Sequence, residues 1–95
     1  MLVRRLILTL SKSFILEYNR HMRKLTDLKA GENATIVSLL NTGSIKRRLQ
    51  DLGFVPGSTV FCIQKSPHGD PVAYGIRGAV IALRLADAEK VIIKG

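Results

Sequence analysis

Arg47-Arg48-Leu49-Gln50-Asp51-Leu52-Gly53-Phe54-Val55-Pro56-Gly57, followed shortly by Ser66-Pro67-His68-Gly69-Asp70-Pro71, is the part of the chain that decides its fold. In the first segment Ile45, Leu49 and Leu52 share a face at i, i+4 and i+7, which predicts a short helix over Ile45 to Leu52 with its charges outside. Gly53 stands where a helix ends on a residue of positive φ. In the second segment glycine permits positive φ, proline sets φ and removes a donor, and Asp70 before a proline is biased toward extended geometry. Tightly specified turns around short elements follow from both.

Outward from these turns the runs are of β type. Ala34 to Leu40 is rich in β-branched and aliphatic residues and reads as a strand. Asn41-Thr42-Gly43-Ser44 breaks it, and Thr42 or Ser44 can cap the helix. Ser58 to Lys65 reads as a second strand, Val72 to Ile76 as a third and Ala79 to Arg84 as a fourth, with Arg77-Gly78 as a tight hairpin between the last two. Leu85 to Glu89 reads as one helical turn and Lys90 to Lys94 as the final strand. The expected architecture is all-β, a small closed or nearly closed antiparallel barrel whose closure removes exposed edges.

The chain has 95 residues and a net charge of +8. That charge is uneven: residues 1–24 carry +5 and residues 25–95 carry +3. Residues 1–24 are thus a basic N-terminal extension relative to 25–95. In the extension Leu2, Leu6, Leu10, Phe14 and Tyr18 recur every fourth position. A basic amphipathic helix on an anionic surface and a disordered extension both stay open. No apolar run reaches the roughly 20 residues that cross a bilayer. The single cysteine, Cys62, has no disulfide partner within the chain, which points to a reducing, cytoplasmic compartment.

Five co-linear motifs resemble the FeoA family of bacterial ferrous iron transport proteins. They are Leu25-Thr26-Asp27-Leu28-Lys29-Ala30-Gly31-Glu32, Arg48 to Gly57, Pro67 to Pro71, Arg77-Gly78, and Ala82-Leu83-Arg84-Leu85-Ala86-Asp87-Ala88. The resemblance covers positions 25 to 94, leaves out residues 1–24 and so implies a domain at 25–95. It implies an SH3-like barrel with a helix inserted after the first strand. It also implies a small cytosolic partner of the ferrous iron permease FeoB, a membrane protein with its own GTP-binding domain. The same domain occurs in metal-dependent repressors behind a helix-turn-helix region, which residues 1–24 are too few to supply.

Nothing in the residue pattern calls for catalysis or a cofactor. His21 and His68 lie far apart, no carboxylate pair has an evident pocket, and there is no phosphate-binding glycine loop. A metal site from Cys62, His68 and Asp70 is not expected, because Cys62 lies mid-strand among apolar residues and behaves there as a small hydrophobe. The candidate partner-binding residues are Arg48, Pro67, His68, Gly69, Asp70 and Arg84. For Asp70 the competing reading is turn chemistry. For Arg48 and Arg84 it is a semi-buried pairing with a carboxylate or carbonyl. The second class of function is a nucleic-acid-binding barrel, for which Phe54, Phe61 and Tyr74 would be the aromatics, Phe61 being expected in the core.

Overall fold

The computed structural model describes residues 22–95. Its elements are β1 (Met22–Lys24), a 3-10 turn (Leu25–Asp27), β2 (Asn33–Leu39), α1 (Gly43–Asp51), β3 (Thr59–Lys65), β4 (Val72–Ile76), β5 (Ala79–Leu83), α2 (Leu85–Ala88) and β6 (Val91–Lys94). The expectation for residues 1–21 lies outside the described part. Met22–Lys24, which the extent of the resemblance assigns to the extension, pairs with β6 from Met22↔Lys94 to Lys24↔Ile92. The inserted helix therefore follows the second described strand, not the first.

The strands form one antiparallel sheet in the order β1-β6-β2-β3-β4-β5. Two irregularities curl it, one in β2 between Ile36 and Ser38 and one in β3 between Cys62 and Gln64. An extra residue on one strand increases local bend and twist, which brings the ends of a six-stranded sheet round toward each other. The barrel is nearly closed. Among the described residues no backbone ladder joins β5 to β1, so two edges remain.

Alternation along the strands sets the core. Val60 and Cys62 on β3, Val72, Tyr74 and Ile76 on β4, Ala34 and Ile36 on β2, and Val91 and Ile93 on β6 all point inward and are buried. Leu25, Leu28, Leu49 and Phe54 complete the core from the turns and the helix. Because Cys62 faces in, its neighbour Phe61 must face out. Phe61 is 46% exposed, a correction to its expected place in the core, whereas Phe54 and Tyr74 are fully buried.

The turns behave as their residues dictate. Gly53 has φ +108°, its N–H donates to the Gln50 carbonyl (3.0 Å), and the next N–H, from Phe54, reaches the Leu49 carbonyl (2.9 Å). This pair of bonds ends α1 as a Schellman motif and hands the chain directly to a core aromatic. The helix starts at Gly43, with Thr42 as N-cap residue and no side-chain capping bond. Of the apolar face expected to pack inward, Leu49 alone is fully buried; Ile45 is partly buried and Leu52 is 36% exposed. The Arg77-Gly78 hairpin has positive φ at both residues, 48° and 79°. That is the geometry of a two-residue turn matched to strand twist.

Burial pushes the Cys62 thiol up, with Lys65 partly opposing and Glu32 adding to the rise. The Tyr74 hydroxyl is pushed up to about 12, first by burial and then by the neighbouring Cys62. Its O–H donates to the Leu25 carbonyl at 3.4 Å.

Candidate functional site

Of the six residues singled out from the sequence, Arg48 and Arg84 line one depression that reaches β5 and Pro67 lines another, while His68, Gly69 and Asp70 belong to the loop beside the second. On the inner side, where the barrel fails to close, α1 and β5 leave a groove of about 150 Å³. Its lining includes Ile45, Arg48 and Leu52 from α1, Ile81 and Ala82 from β5, and Arg84 just beyond it. Both arginines are exposed. Among the described residues the expected semi-buried pairing is not found, and the side-chain hydrogen bonds from arginine there come from Arg23 to the Gly95 carbonyl and from Arg77 to Ser58 Oγ. Arg48 and Arg84 donate none among the described residues. Asp87 is the carboxylate that lines the groove beside them.

On the outer side, a shallow apolar hollow is lined by Gln64, Ser66, Pro67, Pro71, Ala73 and Ala82. Ala82 thus touches both depressions. The loop around the outer hollow is held by its own bonds, Gly69 N–H to the Ser66 carbonyl (2.8 Å) and Ser66 N–H to the Pro71 carbonyl (3.3 Å). The Asp70–Pro71 peptide is cis.

Asp70 does something its sequence does not announce. Rather than bonding within its own turn, its Oδ1 accepts the Leu85 N–H at 3.0 Å. The first residue of α2 is thereby capped from another loop, while Arg84, the N-cap residue, makes no capping bond of its own. The bond pins the loop 66–71 to the segment that carries Arg84, so the two groups of candidates form one continuous surface. His68 stays exposed at the loop tip. Asn41, buried two residues beyond β2, secures the other end of α2 by donating from Nδ2 to the Asp87 carbonyl (3.0 Å).

The candidate ligands Cys62, His68 and Asp70 do not converge. Cys62 is inside the barrel, His68 is in solvent and Asp70 is engaged by a backbone donor. Among the described residues no group of three or more His, Cys, Asp or Glu could hold a metal ion. The surface offers apolar contact, two cationic groups and backbone edge, which is the equipment of a binding site for another chain. Sequence reasoning missed Ile45, Leu52 and Ile81 as parts of this surface. Their apolar character reads as core, and Ile45 and Ile81 do pack against it; the position of α1 beside the edge strand β5 leaves their other side, with Leu52, on the groove.

No helix among the described residues is long and apolar enough to cross a membrane. The FeoA domain model matches residues 23–95. The Fe(2+) transport protein A/Fe(2+) transporter FeoB fusion protein of Porphyromonas gingivalis is 37% identical over 68 residues, 72% of this chain and 8% of that protein. The chain thus spans less than a tenth of that relative. The FeoA protein of Chlorobium tepidum has a solution structure that matches with a TM-score of 0.73 at 33% identity, covering 76% of this chain and 69% of that one. The zinc complex of Stenotrophomonas maltophilia FeoA, a prokaryotic SH3 domain protein, matches at 0.69 and 30% identity, over 76% and 89% of the two chains. The curled six-stranded sheet with its helix between β2 and β3 is therefore an SH3-like barrel, and a family match that runs from β1 to the last residue means that this chain belongs to the FeoA family.

Proposed function

We propose that this chain is a non-catalytic accessory of bacterial ferrous iron uptake that docks, in the cytoplasm, on the cytosolic part of a FeoB-type GTPase permease. The observation that carries this reading is the fusion in Porphyromonas gingivalis, where a segment 37% identical to this chain shares one polypeptide with a transporter FeoB. Two domains joined covalently in one organism act at high effective concentration, and separate chains with the same role need a docking surface instead. The surface flanking β5 suits such docking, because Arg48 and Arg84 supply charge for encounter and orientation while the apolar floor supplies affinity.

The nucleic-acid reading loses support from the aromatics. Single-strand binders stack bases on exposed rings. With Phe54 and Tyr74 buried, Phe61 is the exposed aromatic among the described residues, and its ring lies against Gly75.

Co-purification from membranes holding both the full chain and its cognate permease tests the proposal. The complex is expected to form, and Arg48→Glu with Arg84→Glu is expected to weaken it at least about tenfold at low salt. A chain that never associates with the permease, in cells whose ferrous uptake is unchanged by loss of the chain, would defeat it.

A further inference from the structure

β5 is an edge strand of aliphatic residues throughout, Ala79-Val80-Ile81-Ala82-Leu83, with no lysine, proline or bulge to discourage pairing. Proteins guard their edges with such devices because an open row of N–H and C=O groups recruits other strands. Among the described residues the opposite edge, β1, carries Arg23 and Lys24. Within one sheet, then, the described residues of one edge are charged and those of the other are aliphatic.

The hairpin fixes which groups are open. A two-residue turn closes with Ile76 and Ala79 exchanging both backbone bonds, and bonded pairs alternate from there. Ala79, Ile81 and Leu83 therefore bond to β4, while Val80 and Ala82 direct N–H and C=O outward. Neither residue has another backbone or side-chain partner among the described residues. Val80 is 71% exposed.

Resting on the permease reading above, we propose that β5 takes an extended, acidic segment of the permease's cytosolic part as an added strand. The segment's residues opposite Val80 and Ala82 lie over the outer hollow beside Pro67, Pro71 and Ala73, where small apolar side chains fit. Those opposite Ile81 and Leu83 enter the groove between α1 and β5, with an aliphatic group against Ile45 and Leu52 and a carboxylate facing Arg48 and Arg84. Period-two alternation delivers both faces at once. Charge selects this occupant over a second copy of the chain, since pairing β5 with itself brings the arginines of one molecule near those of another that is likewise +8.

Hydrogen exchange on the unaltered full chain, alone and with the permease's purified cytosolic part, tests this directly. The Val80 and Ala82 amides are expected to exchange at least about tenfold more slowly in the complex, as new backbone bonds form. Ala82→Pro removes only an outward N–H, which an edge strand tolerates, and is expected to weaken binding about tenfold. If the complex forms while both amides keep their free rates and Ala82→Pro binds like the parent, strand addition is wrong and the permease reading stands. Absence of any complex rejects the permease reading and this proposal together.

Discussion

Two glycines decide local geometry by what their neighbours need. Gly53 combines φ +108° with a space in which a Cβ would sit 2.8 Å from Arg77 Cδ. Gly53→Ala is expected to cost about 1 to 3 kcal/mol, from left-handed strain and a displaced Arg77, measured as a lower urea midpoint at unchanged slope. Gly75 is ordinary extended backbone, but a Cβ there would stand 2.4 Å from Phe61 Cζ. Gly75→Ala is expected to destabilise by about 1 kcal/mol and to do so much less in a Phe61→Ala background; additive losses in that double-mutant cycle would show that the ring is not the obstacle. The glycine at 53 was legible as a helix stop. The one at 75 was not, because its reason lies on the neighbouring strand at Phe61, which pairs with it across the ladder.

Elements were legible where period and punctuation agreed. Val72–Ile76 between Pro71 and the Arg77-Gly78 turn emerges with the expected limits, and the other expected strands shift by a residue or so. Met22–Lys24 was not legible as a strand. Three residues carry no period, and their pairing depends on β6 at the far end of the chain. Helix α1 shows the limit of periodicity more sharply: a repeat says which residues share a face, not how far that face extends under the sheet. Leu49→Ala is expected to cost about 2 to 4 kcal/mol and Leu52→Ala less than about 1 kcal/mol, by thermal or urea unfolding. Equal losses would mean that Leu52 is inside after all. For the candidate site, Arg48 and Arg84 could be named from the sequence, but their setting beside an unclosed edge is a property of topology.

At the scale of the whole molecule, stability depends on a core that contains two groups able to ionise in alkali. Cys62 and Tyr74 sit side by side inside the barrel, and burial raises both above their ordinary values, Tyr74 to about 12. In the unfolded chain they lose protons at lower pH than in the folded one, so the unfolded state gains as pH rises. Their contribution is complete below about pH 8.5 and is lost progressively through about pH 12. Unfolding midpoints are expected to be flat from neutrality to about pH 8.5 and to fall above it, by an amount on the order of 2 kcal/mol for Tyr74. Tyr74→Phe should flatten the upper part of that fall.

The bond from Asp70 to the Leu85 N–H ties a loop tip to the start of a distant helix, across 15 positions of sequence. Whatever grips one end of that tether tugs the other. His68, two residues from the anchor and open to solvent, is thus a ready-made reporter: its imidazole resonances should move when the inner groove fills, although the imidazole is not among the residues that line it.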